Sequence, residues 1–296
     1  MTNIGEDQST TLPRRQLGRY LKDARLAVGL KLEDVAPLMQ WSASKLSRIE
    51  SGKSPAIRVL DVEALCRIYE IDDPEVSAGL LGLAKQSTGT SWWQAFDDVI
   101  SGNFDLYVGL ESSAQQLSMF QPHIVAGLLQ TPAYARAVEQ GYYSDISEQE
   151  LERRIQLRIK RQSLLNRKFK PVAVDFVIHE SALWTVVGNG KVMAAQCHHL
   201  ANLPVNVEVR VLPYDAGFPA GLPTGPFAIL DFGTDSKGRE TSPTVVYVEL
   251  YAGDLYLERR KDVARYRQAY SATLKAALDV PDSKRRLRQI AREHER

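Results

Sequence analysis

Cysteine is scarce: Cys66 and Cys197 are the only two in 296 residues, and they stand too far apart to form a CxxC pair. That excludes a disulfide framework and a zinc finger, and it points to a reducing, cytoplasmic setting. Long apolar runs are missing as well. None approaches the roughly 18 residues that span a bilayer, so no membrane partner is expected. The polar opening stretch, with Glu6 and Asp7, lacks the apolar core of a signal peptide. Net charge is nearly absent: 37 Lys plus Arg face 36 Asp plus Glu, for +1. A histone-like polycation is thereby excluded, but nucleic-acid binding is not, because phosphate affinity depends on where the charge lies. The chain also has no GxSxG, HExxH, DxDxD or phosphate-loop pattern. No enzymatic activity, catalytic residue or cofactor is expected.

What is present is ordinary globular material, 44% hydrophobic and 25% charged. At roughly 100–200 residues per domain, the length suggests two domains. The charge is strongly blocked. Residues 14–58 carry +6, 59–86 carry −4, 87–151 carry −7 and 152–170 carry +7. The basic stretch Arg153 to Lys170 either touches DNA or pairs with the acidic block before it, and internal neutralisation is the favoured reading.

Leu17, Leu21, Ala24 and Val28 recur at helical spacing up to Gly29. A short helix follows over Leu32–Met39, in which Pro37 should introduce a kink. Ser42 is placed to cap a third helix over Ala43–Ser51, ended by Gly52. A fourth helix after Pro55 and a fifth from Pro74 to about Gln86 complete an all-α domain over 14–86. The polar run Ser87 to Ser91 reads as a boundary. From Trp92 to Arg167 the pattern is mostly helical. Strands are expected at Val172–Ile178, Val205–Leu212, Phe227–Phe232 and Thr244–Leu250, with helices at Lys191–Leu203 and Asp262–Leu278. The expected fold class is therefore α+β: five N-terminal helices, then a larger domain over 92–280 with a helical part and a small α/β sheet layer. Residues 281–296 read as a basic tail, rich in Arg285, Arg286, Arg288 and Arg292, that either frays or adds unspecific phosphate affinity.

Leu32–Met39 and Ser42–Ser51, joined by Gln40-Trp41, form a helix-turn-helix pattern. A helix that enters the major groove must be short, polar outward and apolar only toward its own core. In the third helix Leu46 and Ile49 face inward, while Ala43, Ser44, Lys45, Ser47 and Arg48 face out. The stretch LEDVAPLMQWSASKLSRIESGK resembles the Cro/C1-type (XRE) helix-turn-helix, and SKLSRIESG carries the likeness most specifically. The resemblance implies a five-helix fold whose third helix reads bases. Arg48 then suits guanine, Ala43 a thymine methyl, and Ser42, Ser44 and Ser47 lie in or beside the contact set. Lys45, Lys53, Arg14, Arg15 and Arg19 suit phosphates, which position without specifying. Arg25 and Glu50 match a pair that forms a structural ion pair in that family.

The stretches GLESSAQQLSMFQPHIVAGLLQTPAYARAV, RIQLRIKRQSLL, VLPYDAGFPAGLPTGPFAILDF and VVYVELYAG resemble an actinobacterial regulator family with an antitoxin-like C-terminal domain. That likeness implies a transcriptional regulator of a double-stranded DNA operator; a homodimer is expected because one module of about 70 residues buries too little surface for a typical specific affinity. The likeness also implies a possible small partner protein encoded nearby; any small-molecule effector is unspecified. The alternative is a protein that chiefly binds this partner and autoregulates.

Other motifs invite sharper readings. Cys197-His198-His199, with His179 and His123, is better read as ordinary side chains than as a metal site, since adjacent helical residues point about 100° apart. Gly188 to Lys191 reads as a turn before a helix. Trp92, Trp93, Phe96, Phe104 and Tyr107 line an effector pocket, a dimer interface or a plain core, with the core favoured. The loop Pro213–Pro226 is either a cover over a ligand or a simple crossover.

Overall fold

The computed structural model describes residues 12–54, 57–87, 92–100, 104–168, 171–234, 240–251 and 253–296. Glu6, Asp7, Pro55, Lys170 and most of the expected boundary, residues 88–91, lie outside them. The chain divides into two compact units, Met1–Leu110 and Glu111–Arg296.

The first unit opens with five helices: α1 (Leu12–Ala27), α2 (Leu32–Leu38), α3 (Ala43–Glu50), α4 (Val59–Ile68) and α5 (Pro74–Ser87). Their apolar stripes meet in one core that includes Leu17, Leu21, Val35, Leu46, Val62, Leu65 and Tyr69. Gly29 ends α1 at φ 73°, a backbone conformation that glycine adopts without a Cβ clash. Pro37 does not bend a longer helix. It stands next to last in α2, where its missing donor coincides with the helix end. Trp93 and Phe96 are buried, and Trp92 meets both edge-on, which is the packing of a plain core.

α6 (Phe104–Ser113) carries the division between the units, and the second unit then alternates strand and helix. In chain order it contains β1 (Gln116–Gln121), α7 (Pro132–Tyr142), α8 (Glu148–Gln162), β2 (Ala173–His179), α9 (Ser181–Trp184), α10 (Gly190–Ala201) and β3 (Val207–Leu212). It continues with β4 (Phe227–Asp231), β5 (Val245–Leu250), β6 (Gly253–Leu257), α11 (Arg260–Ala276) and α12 (Val280–His294). The six strands form one mixed sheet in the order β3-β2-β1-β4-β5-β6. β1, β2 and β3 run parallel, with helices in the crossovers, while β4, β5 and β6 pair antiparallel. One face packs Phe120, Val177, Phe227, Ile229, Val246 and Val248 against Val263 and Tyr270 of α11.

The stretch from Trp92 to Arg167 is mostly helical, as expected, but three features were not anticipated. It also holds β1, at the centre of the sheet. Four consecutive residues of β1, Leu117 to Phe120, are buried, so no polar alternation marks it as a strand. β6 is an additional strand, short and at the sheet edge. The basic tail is also a helix, α12, whose Leu287, Ile290 and Ala291 are fully buried at helical spacing. Arg286 Nε donates to Glu180 at 2.8 Å, so one arginine of that run serves the fold.

The basic stretch behaves as the internal-neutralisation reading expects. Arg154 pairs with Glu150 at 2.8 Å, Arg161 with Glu111 at 2.7 Å, and Arg158 with Glu139. Arg161 and Glu111 are both buried. Asn189 caps α10 by accepting the Val192 N–H at 3.1 Å, so the Gly188–Lys191 stretch is a helix start.

Candidate nucleic-acid interface

The interface is built by local chain chemistry. Asp34 accepts the Lys31 N–H at 2.7 Å and so starts α2. The chain then turns at Gln40, whose φ of 55° is left-handed, and the Trp41 N–H donates to the Ala36 carbonyl at 2.8 Å. Ser42 Oγ accepts the Lys45 N–H at 3.1 Å, capping α3 as its sequence predicts.

From that start α3 turns Leu46, Ile49 and Glu50 inward, while Ser44, Ser47 and Arg48 stay exposed. Residues 44, 47 and 48 are spaced i, i+3 and i+4, hence share one helix face. Ser42 is exposed at the helix start and Ala43 partly so. Lys45 is half-buried, with its Nζ 4.2 Å from the centre of the Trp41 ring. That stacking fixes an otherwise flexible ammonium at the N-terminal end of α3. Sequence reasoning passed over Trp41; the only signal was an aromatic residue four positions before a lysine.

The remaining cations separate into two kinds. Lys53 lies exposed just past Gly52, whose φ is 72°. Arg14, Arg15 and Arg19 are half-buried on α1. Arg14 Nε donates to the Ser87 carbonyl at 3.1 Å, and partial burial lowers its pKa. Arg15 lies against Gly52: a Cβ there would come within 2.8 Å of Arg15 Cα. The start of α1 is thus brought to the end of α3. Arg19 stacks over Tyr20 at 5.5 Å.

Beneath α3, Arg25 and Glu50 form a two-bond fork. Nε reaches Oε1 at 2.7 Å and Nη2 reaches Oε2 at 2.8 Å. Arg25 Nη1 also donates to the Leu30 carbonyl at 2.7 Å, and Tyr69 donates its hydroxyl to Glu50 at 3.4 Å. The hydrogen bond to Glu50 raises the Arg25 pKa, and burial followed by the Glu50 charge raises that of Tyr69. Glu50 therefore faces the core from within the helix that carries Arg48.

Elsewhere, the candidate metal residues are dispersed. Cys197 is buried and its thiol is pushed up to about 12 by burial. His198 faces Glu295 at 3.2 Å, and His179 bonds Ser181 Oγ at 2.7 Å. Among the described residues no group of three or more His, Cys, Asp or Glu is arranged to hold a metal. Nor is any described helix long and apolar enough to cross a membrane. The Pro213–Pro226 loop packs onto α11, since a Cβ on Gly221 would lie 2.4 Å from the Ala269 carbonyl oxygen.

Comparison with known proteins agrees with this division. A helix-turn-helix domain family matches residues 16–79, which suggests DNA binding. No curated protein and no solved structure matches the chain significantly. A second family, described as a domain of unknown function (DUF5753), matches residues 104–289, well over half of the sequence. On that match the chain belongs to the DUF5753 family, with a helix-turn-helix domain at its N-terminal end.

Proposed function

We propose that the protein is a sequence-specific transcriptional regulator of the Cro/C1 type. It binds operator DNA as a homodimer, and the second unit supplies dimerisation and the sensing of a partner. The carrying observation is the display on α3: Ser44, Ser47 and Arg48 exposed on one face, with Lys45 stacked beside them. At eight residues α3 is about 12 Å long, matching the width of the major groove. In this reading Arg48 contacts a guanine, while Lys45 and Lys53 meet phosphates. Arg15 approaches the phosphate backbone beside the end of α3. Arg14, which donates to the Ser87 carbonyl, and Arg19, stacked on Tyr20, act chiefly by placing α1. No catalytic step belongs to this reading.

A single helix-turn-helix module buries too little surface for typical operator affinity, which is why two are needed. Footprinting on the region upstream of the protein's own gene tests the proposal. The expected result is protection of two half-sites about one helical turn apart. The reading fails if that region stays unprotected and no sequence is enriched from a random duplex pool.

A further inference from the structure

The loop Pro213–Pro226 is fixed against α11. Gly221 lies so close to that helix that a Cβ there would collide with the Ala269 carbonyl and the Thr273 hydroxyl. Thr224 Oγ1 donates to the Gly221 carbonyl at 2.6 Å, which ties the loop to itself at the same place. Between this loop and α11 the second unit holds a cleft of about 520 Å³, open to solvent. That is the size of sites that take small organic ligands.

One stripe of α11 forms the floor. Asp262, Arg265, Tyr266 and Ala269 are spaced i, i+3, i+4 and i+7, so they share a helix face. Leu257 at the end of β6 and Thr224 of the loop supply walls. The Tyr266 ring is partly buried and stands edge-on to Phe227, 5.0 Å between centres, which gives the cleft a fixed aromatic side. An apolar body has a place against Tyr266, Leu257 and Ala269, with one charge of each sign beside it.

Those two charges do not neutralise one another. Asp262 is the third residue of α11 and Arg265 follows at i+3; Asp282 and Arg285 occupy the same two positions of α12. In α12 the two close into an ion pair although the Arg285 side chain is 71% exposed, and Glu293 and Arg296 close at the same spacing, at 2.7 Å. Asp262 and Arg265 form no ion pair, with each other or with any other described residue. Exposure does not explain the difference, since Arg285 and Arg296 are exposed too. What distinguishes the α11 pair is the cleft it borders.

We propose that the cleft binds a free α-amino acid with a large apolar or aromatic side chain. The Arg265 guanidinium takes the carboxylate through two parallel hydrogen bonds, and the Asp262 carboxylate takes the ammonium. An α-amino acid carries both groups on one carbon, which suits two side chains one helical turn apart. Its side chain lies along Tyr266 and Leu257. The cleft lies wholly within the second unit, so its occupancy does not depend on whether α3 reads DNA.

Isothermal titration of the full-length protein with L-tryptophan, L-phenylalanine, L-leucine and L-methionine tests the site. At least one should bind with a dissociation constant below about 1 mM. Asp262→Asn and Arg265→Gln should each weaken it about ten- to a hundredfold and leave the circular dichroism unchanged. The decarboxylated amine of that ligand and its N-acetyl derivative, which resembles a peptide C-terminus, should each bind at least about tenfold more weakly than the parent. Absence of binding by all four amino acids at about ten times that concentration overturns the proposal. So does binding that survives both substitutions, which puts the ligand elsewhere, or a derivative that binds as tightly as its parent. The derivatives are read on the wild type, so the outcome does not require either variant to fold.

Discussion

Arg25 of α1 and Glu50 of α3 meet as a planar fork, with bonds of 2.7 and 2.8 Å, in a site where each is about nineteen-twentieths hidden from water. Because Glu50 stands two residues after Arg48, this fork fixes the rotation of α3 and hence which residues it presents. Replacing one member leaves the other charge buried without its partner. Glu50→Ala should therefore cost about 3–5 kcal/mol of stability. Arg25→Met combined with Glu50→Leu should recover most of that loss, and urea unfolding of Arg25→Met, Glu50→Leu and their combination measures the coupling.

Arg48 and Lys45 should fail in different ways. Loss of Arg48 should cost about 1–3 kcal/mol of discrimination at one base pair and leave other positions unaffected. Lys45→Ala should weaken binding to every sequence and flatten the salt dependence by about one unit of slope. Trp41→Leu should reproduce part of the Lys45→Ala effect, since it frees the stacked ammonium. Fluorescence anisotropy across a salt series, with the operator and its single-base variants, separates the three.

Gly18 lies where α1 crosses α3, and a Cβ there would stand 2.3 Å from the Ile49 carbonyl oxygen. Gly18→Ala should destabilise by about 1–3 kcal/mol through overpacking, despite the better helix propensity of alanine. Gly82 of α5 has no neighbour within 4 Å of the same construction. Gly82→Ala should therefore stabilise the protein by about 0.4–1 kcal/mol. Thermal unfolding of both variants checks the opposite signs.

α12 belongs to the core of the second unit rather than to a detachable tail. Leu287 is fully buried, and Leu287→Ala should cost about 2–5 kcal/mol. Denaturant unfolding of that variant is the measurement. A near-neutral result would mean that α12 contributes little to the fold.

His199 on α10 has its pKa lowered by burial. The unfolded chain therefore takes up the proton first as pH falls, and folding disfavours the charged ring. The contribution to stability is intact above the ordinary histidine value of about 6.5 and is lost as pH drops below it. Melting temperatures between pH 8 and pH 5 should fall less steeply for His199→Gln than for the wild type.

The N-terminal helices were legible because their signals are local. Leu17 and Leu21 mark one turn of α1, Ser42 reaches only to Lys45, and Gly29 and Gly52 stop the helices they follow. The α3 candidates could likewise be named from spacing, since a short amphipathic helix has one apolar face and shows the rest. By itself, the sequence determined those elements, the outward residues of α3, and β2 to β5 with α10 and α11 of the second unit. Other features only the tertiary structure decided. β1 is covered on both faces, so its burial erases the alternation that marks a strand. Arg286 looks like surface charge until Glu180, distant in sequence, is brought to it, and the pairing expected for the basic stretch finds its buried partner for Arg161 only when Glu111 arrives. Gly18 has no visible purpose until the α3 backbone arrives within van der Waals distance. Each of these depends on a neighbour far along the chain, and contacts of that range leave no period in the sequence to read.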